Sequence, residues 1–565
     1  MIMNFRPTTL IALVVLGLFS CTAPALRQEE TTGDLEQDPV VQTPQEPAAR
    51  TPEALAVSAS EVRERGKIAA DAVGGLRYDL EGRYNPNFNT ESYDHIVENV
   101  FLSVAANPLS TFSIDVDRAS YSNVRRFING GQRPPIDAVR IEELINYFHY
   151  DYPDPDGEHP FSITTEVTDA PWNPLHKLVR IGIQGEKIDT ENLPPANLVF
   201  LLDVSGSMQS PAKLPLLKAS FRMLVNELRP QDRVAIVVYA GAAGLVLPST
   251  PGDQKDTILA AIEALEAGGS TAGGEGIILA YKIASENHID GGNNRVILAT
   301  DGDFNVGASS DAAMVRLIEE KREQGTFLTV LGFGTGNLKD SKMEQLADHG
   351  NGNFAYIDNL MEARKVLVTE IGGTLLTIAK DVKIQVEFNP TRVAAYRLIG
   401  YENRLLANED FNDDTKDAGE LGAGHSVTAL YEVIPVGVDS PFEIRDVDSL
   451  RYQTPGTMTP NSDSPELMFV RLRYKEPDGD QSRLIEQPLL AESDEPSTDL
   501  RFAAAVAGFG MILRESEYCG DDWTLADVLE LARRSTGADP EGYRAEFVRL
   551  VEAVNSMELL AQATY

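Results

Sequence analysis

Cysteine is nearly absent: Cys21 and Cys519 are the two in 565 residues. That excludes a disulfide framework and a zinc site built from several thiolates. Basic residues are outnumbered, 49 Lys and Arg against 86 Asp and Glu, for a net charge of −37 at pH 7. A field of that sign repels phosphates, which argues against non-specific nucleic-acid binding and against adhesion to anionic lipid through a basic patch. The apolar runs 10–19 and 502–513 hold ten and twelve residues, whereas a membrane-spanning helix needs about 20. Catalytic signatures are also missing. The seven histidines form no His-Glu-x-x-His pair, Gly66-Lys67 is followed by Ile68 and so makes no phosphate loop, and there is no Gly-x-Ser-x-Gly elbow. What is present is 42% hydrophobic and 24% charged, the balance of a globular protein with real cores. The length implies about two to four domains.

The chain opens with Arg6 and the apolar run 10–19, the length of a signal-peptide core. The run ends in Leu18-Phe19-Ser20-Cys21. This resembles a bacterial lipobox, which implies that residues 1–20 are removed, that Cys21 is acylated, and that the protein is lipid-anchored in the cell envelope. Thr22, in place of Asp, implies the outer membrane, or the outer face of the cytoplasmic membrane if the cell has no outer membrane. Residues 21–60 are acidic, Pro-rich and free of aromatics, and read as a disordered tether.

Residues 96–190 read as an α+β region: a strand at 112–117, helices at 121–128 and 139–148, and strands at 161–167 and 178–183. Residues 196–378 change character. Continuous apolar strands (197–202, 234–239, 296–299, 327–331, 354–357) alternate with amphipathic helices (214–228, 257–267, 276–285, 311–324, 360–376). This is the pattern of a doubly wound α/β fold around a mostly parallel sheet. Residues 379–565 return to strands and then helices, with 502–513 as a core helix and Asp539-Pro540 opening the last one.

In open α/β sheets, sites form at the carboxyl ends of the strands. Three such places are rich in oxygen donors: Asp203-x-Ser205-x-Ser207 after the strand ending at Leu202, Gly269-Ser270-Thr271 after a helix, and Thr300-Asp301-Gly302 after the strand ending at Ala299. Two carboxylates and three hydroxyls suit a hard divalent cation, Mg²⁺, Mn²⁺ or Ca²⁺. Neutral hydroxyls leave such an ion electrophilic, with a position open for an external carboxylate.

These residues resemble the von Willebrand factor type A (vWA) domain and its metal-ion-dependent adhesion site. The resemblance implies that Asp203, Ser205, Ser207, Thr271 and Asp301 are the metal-site residues, with no departure at any of the five. The order of lipobox, tether, α+β segment with FSIDVDRASYSNVRRFINGG at 112–131, type A domain and C-terminal region is similar to the bacterial YfbK-like lipoproteins. The expected function is that of a non-enzymatic protein-binding lipoprotein, whose metal bridges to an acidic residue of a partner. A cell-envelope assembly or quality-control accessory is the alternative, and a hydrolase with an unrecognised site a minor one. In related type A domains the last helix can shift when the metal site is filled, and Gly372-Gly373 reads as a soft point in it. Asp115 and Asp117 read as a solvated strand end, 408–420 as a solvated acidic loop without the EF-hand pattern, Gly332–Asn337 as a turn, and Cys519 as a buried small hydrophobe.

Overall fold

The computed structural model describes residues 91–563, apart from 115–116, 189–192, 271–272, 303, 305–310, 371–375, 417, 446–457, 478, 492–494 and 521. The signal segment 1–20, the tether 21–60 and Cys21 therefore lie outside the described residues, as do Asp115, Thr271 and Gly372-Gly373.

The central sheet runs from edge to edge as Phe354–Ile357, Thr326–Phe333, Asn293–Thr300, Ala196–Asp203, Arg233–Tyr239 and Ala243–Pro251. Every pairing is parallel except the last. The middle strand, Ala196–Asp203, is buried at all positions, which is why its sequence is a continuous apolar run and not an alternation. Leu198, Phe200 and Leu202 face the helices Leu214–Glu227, Lys255–Glu263 and Leu360–Arg364. Val199 and Leu201 face Gly273–Glu286, Asp311–Glu323 and Asp340–His349. Helices thus cover both faces, and the domain is doubly wound α/β. The antiparallel edge strand carries Pro248 and Pro251. Prolines are tolerated on an edge, where an N–H can be missing without breaking a ladder.

The regions on either side of this domain in sequence interleave in space. One six-stranded sheet takes Phe101–Ser103, Phe161–Ala170 and Asn173–Gly185 from before it, and Val393–Ile399, Ser426–Pro435 and Ile444–Arg445 from after it. A second sheet pairs Leu109–Ser113 with Thr377–Phe388, alongside Gly419–Gly422, Glu466–Lys475 and Ser482–Leu490. The two sheets share one core, with Ile181 and Val427 from the first meeting Ile384 and Leu472 from the second. A helical core likewise joins Ala119–Asn129 and Ile141–Asn146 to Thr498–Arg514, Leu525–Arg534 and Tyr543–Ala563. The type A domain is therefore an insertion within a composite β-sandwich and helical body.

Two helix ends differ from expectation. The helix expected over 360–376 is α-helical only over Leu360–Arg364 and then widens into a π-turn, Lys365–Thr369. The final helix opens at Tyr543 and not at Pro540. Asp539 still serves it, accepting from the backbone N–H of Arg544 (3.2 Å) and Ala545 (2.8 Å).

The short helix Leu360–Arg364 is pinned to the surrounding body by one guanidinium. Arg125, 1% exposed, donates to Asp358 (Nε to Oδ2, 2.9 Å), Glu362 (2.7 Å), Glu546 (2.9 Å) and the Tyr147 hydroxyl (2.9 Å). It thus ties the N-terminal helix that bears it to the type A domain and to the last helix. Removing one member of a buried charge cluster strands the others, at a cost of about 3–5 kcal/mol. Arg125→Met should lower the unfolding free energy in urea by that order, while Glu546→Gln, at a carboxylate that is itself a quarter exposed, should cost less than half as much.

Candidate functional site

The site is assembled by hydrogen bonds between loops far apart in sequence. The strand Ala196–Asp203 delivers Asp203, fully buried, to the carboxyl edge of the sheet. The loop after it turns back on the Asp203 carboxylate: Oδ1 accepts the Ser205 N–H at 2.9 Å. The Ser205 and Ser207 hydroxyls lie 3.0 Å apart. The second loop is stitched to the first by backbone bonds, Gly268 N–H to the Val204 carbonyl at 2.8 Å and Gly206 N–H to the Gly269 carbonyl at 3.1 Å. Thr271, two residues beyond Gly269, lies outside the described residues. The third loop is joined through Thr300, whose hydroxyl donates to Asp203 Oδ2 at 3.2 Å. That oxygen also accepts the buried Tyr239 hydroxyl at 3.3 Å.

Asp301 follows Thr300 and is fully buried. Its partner is absent from the motif: Lys213, 2% exposed, places Nζ 2.7 Å from Asp301 Oδ2 and 2.9 Å from Asn337 Oδ1. Two glycines make room for this arrangement. A Cβ on Gly302 would stand 2.5 Å from the Asn337 carbonyl oxygen, and one on Gly334 would stand 2.3 Å from Lys213 Cγ. Both have positive φ, +102° and +80°, a region that side chains strongly disfavour.

The two carboxylates consequently differ. Burial, and then the negative charge of Asp301, push Asp203 up to about 6. Burial opposes ionisation of Asp301 as well, but the Lys213 ammonium and hydrogen bonds from Lys213, Asn337 and Ser207 outweigh it and hold that carboxyl below the ordinary value. The donors brought together are all oxygens, from Asp203, Ser205, Ser207 and Asp301. This chemistry fits a hard divalent cation and does not fit zinc or copper. Among the described residues no group of three or more His, Cys, Asp or Glu side chains could hold a metal; this cluster has two carboxylates, and its other donors are hydroxyls. Lys213, Tyr239 and Asn337 were not found from sequence. The trace they left was faint: Lys213 directly precedes its helix, at an end where a cation is disfavoured.

The remaining candidates resolve into structure. Asp117, expected to be solvated, is 3% exposed and accepts the Phe354 N–H at 2.8 Å and Arg404 at 3.5 Å. It ties the segment before the helix Ala119–Asn129 to the edge of the central sheet. The acidic loop is held by lysines on its backbone carbonyls, Lys383 to Asp413 and Lys475 to Asp414, both at 2.6 Å. Cys519 is 6% exposed, and burial pushes its thiol up to about 12.

The comparisons with known proteins agree with this architecture. Residues 87–180 match the family described as von Willebrand factor, 197–369 the von Willebrand factor type A domain, and 373–557 the C-terminal region of uncharacterized protein YfbK. Type A domains generally act as protein-interaction modules. Uncharacterized protein sll0103 of Synechocystis sp. is 29% identical over 203 residues, 36% of this chain and 47% of that protein. A solved von Willebrand factor type A structure from Catenulispora acidiphila is 17% identical, with a TM-score of 0.39, and covers 68% of this chain and 89% of its own. Uncharacterized protein YfbK of Escherichia coli (strain K12) is 45% identical over 484 residues, 84% of this chain and 83% of that protein. With that identity carried across most of both sequences, the chain belongs to the YfbK family of bacterial von Willebrand factor type A proteins.

Proposed function

We propose that the carboxyl edge of the central sheet holds a divalent cation, Mg²⁺ or its relatives Mn²⁺ and Ca²⁺, and that the protein binds a partner protein through it. Asp203, Ser205, Ser207, Thr271 and Asp301 are the residues that would hold the ion. When bound, the ion supplies a Lewis-acidic position that an acidic side chain of the partner can fill. The observation that carries this reading is a charge imbalance: two fully buried carboxylates, Asp203 and Asp301, lie together, and among the described residues the ammonium beside them, Lys213, pairs with Asp301 alone of the two. Buried charge of one sign calls for its complement. The role is binding and not catalysis. Acylation of Cys21 would anchor the protein in the envelope, most naturally at the outer membrane, and the tether would carry the folded body away from the lipid. Among the described residues no helix is long and apolar enough to cross a membrane.

The chain's own groups set the affinity. Asp203 must be ionised to hold a cation, and its raised pKa places that requirement near pH 6. In calorimetric titration, Mg²⁺ or Mn²⁺ affinity should fall as pH is lowered through about 6, because protonation then competes with the ion. Ser205→Ala/Ser207→Ala and Asp203→Ala should each weaken binding tenfold or more; unchanged affinity in both would refute the metal reading. Crosslinking in native membranes should capture partners with the wild type that are lost on chelation and in the serine variant.

Lys213 offers a test of opposite sign. Lys213→Met removes the positive charge beside Asp301, so the metal-free chain should lose about 3–5 kcal/mol of stability. Its affinity for Mg²⁺ or Mn²⁺ should rise, because the ion becomes the remaining source of positive charge. A drop in affinity would show that Lys213 positions the ligands and does not compete electrostatically with the ion.

A further inference from the structure

At the opposite, amino edge of the same sheet the imbalance is reversed. Three arginines rank among the largest fully buried side chains: Arg125, Arg295 and Arg397. Arg125 is held by Asp358, Glu362 and Glu546, and Arg397 by Glu432 at 2.8 Å and Glu98 at 3.6 Å. Among the described residues Arg295 contacts no carboxylate. Its Nη1 donates to the Thr329 hydroxyl at 2.8 Å, and its guanidinium lies 5.5 Å from the Phe327 ring centre. Among the described residues its Nε has no hydrogen-bond partner. Burial without a contacting anion pulls even this guanidinium down to about 10, with Glu420 opposing the shift from a distance. A buried charge without a contacting counter-ion is among the most expensive features a fold can carry, and an anion from outside the chain would relieve it.

Arg295 borders a cavity of about 280 Å³, between the amino edge of the sheet (Arg295, Asn351, Asn353) and the β-sandwich (Thr377, Glu420, His425). His425 presents a second nitrogen, Nε2, that has no partner among the described residues. Burial and the cations Arg118 and Lys365, only partly countered by Glu370, push its imidazole down to about 4, so it stands neutral and can share one hydrogen bond. The volume is that of roughly nine waters, or of a ligand with about that many non-hydrogen atoms.

We propose that this cavity binds a small organic monocarboxylate, whose carboxylate pairs with Arg295 and whose remainder is neutral or cationic. A guanidinium fork matches a carboxylate or a phosphate in geometry. The other lining groups bear on the choice: Arg404 and Asp348 border the cavity as an ion pair (2.8 Å) and offset each other, so Arg295 and Glu420 set the balance, and the Glu420 charge opposes a dianion while tolerating a hydroxyl or an ammonium. Asn351 donates to Glu420 at 2.8 Å and so fixes where that charge sits. The site is independent of the metal loops, at the far end of every strand from Asp203.

The test is calorimetric titration of the full chain, in chelator so that the metal loops take no part, with acetate, lactate, glycine and alanine, and separately with inorganic phosphate. At least one carboxylate should bind saturably in the millimolar range or tighter. Arg295→Met, which leaves no stranded carboxylate and should fold, should weaken it by about 10- to 100-fold, the loss of a charged hydrogen bond. Leu406→Trp, placed on the cavity wall, should weaken it without touching the charge. Absence of saturable binding by every carboxylate, equal binding by Arg295→Met, or tighter binding of phosphate than of any carboxylate would each overturn the proposal. Because chelator is present, none of these results bears on metal binding.

Discussion

Two like charges buried side by side set the terms for the carboxyl edge of the central sheet. Asp203 and Asp301 end neighbouring strands whose register, Leu202 opposite Ala299, brings the two loops together. Neither carboxylate has solvent to screen it, so the pair cannot be fully ionised without positive charge nearby. Lys213 answers half of that demand, and the division is visible in the two acids: one pushed up to about 6, the other held below its usual value. Several local features follow from housing the ammonium. Gly334 and Gly302 lack side chains because Lys213 and the Asn337 strap fill the space where a Cβ would be, and Asn337 turns its amide oxygen toward Nζ. Tyr239 and Thr300 spend their hydroxyls on the one Asp203 oxygen that faces the sheet. What these loops bring together is a group of oxygens from two carboxylates and two serine hydroxyls.

The core of the α/β domain was legible because burial on both faces removes polar residues from a strand altogether, as in Ala196–Asp203 and Arg233–Tyr239. The loop residues were legible because short hydroxyl and carboxylate side chains after such strands have few structural uses. Lys213 was not, since a lysine before a helix looks the same in sequence whether its ammonium is solvated or sealed beneath a loop 120 residues away. Asp117 failed for the same reason: its acceptor role depends on Phe354, distant in the chain. The edge strand Ala243–Pro251 was hidden by its prolines. The continuous helix read over 360–376 was drawn from apolar spacing that a π-turn also satisfies. The interleaving of the two flanking regions was beyond periodicity altogether, because Leu109–Ser113 finds its partner in Thr377–Phe388 across the whole inserted domain, and no local signal encodes that pairing.

The insertion has a mechanical consequence. Both covalent connections of the type A domain lie at its amino edge: the chain enters at Ala196, the first residue of the middle strand, and leaves to Thr377, which lines the same cavity as Arg295 and Asn353. Arg125, from the body outside the insertion, fastens Asp358 and Glu362 at the domain's last helix, and Arg404, from the sandwich, reaches Glu344 and Asp348 on another. The root of the domain is thus bound by covalent links and buried ion pairs, while the loops that carry Asp203 and Asp301 stand at the carboxyl edge, away from those attachments. A partner meeting that end meets a surface whose geometry is set by the sheet. Any response must travel along strands and helices to a root that is already clamped.

The two edges can then be weighed on one principle. Burying an ion requires a counter-ion within reach, and most buried charges in this chain satisfy it internally: Arg397 with Glu432, Arg140 with Glu143 and Glu344, Arg514 with Glu402. Among the described residues the two edges of the parallel sheet fall short in opposite senses: Asp203 and Asp301 lie together with Lys213 at the carboxyl edge, and Arg295 has no contacting carboxylate at the amino edge. Neither deficit can be relieved by the other, since the length of the strands separates them. Under the two proposals, a cation would complete the charge at one edge and a small acid the charge at the other.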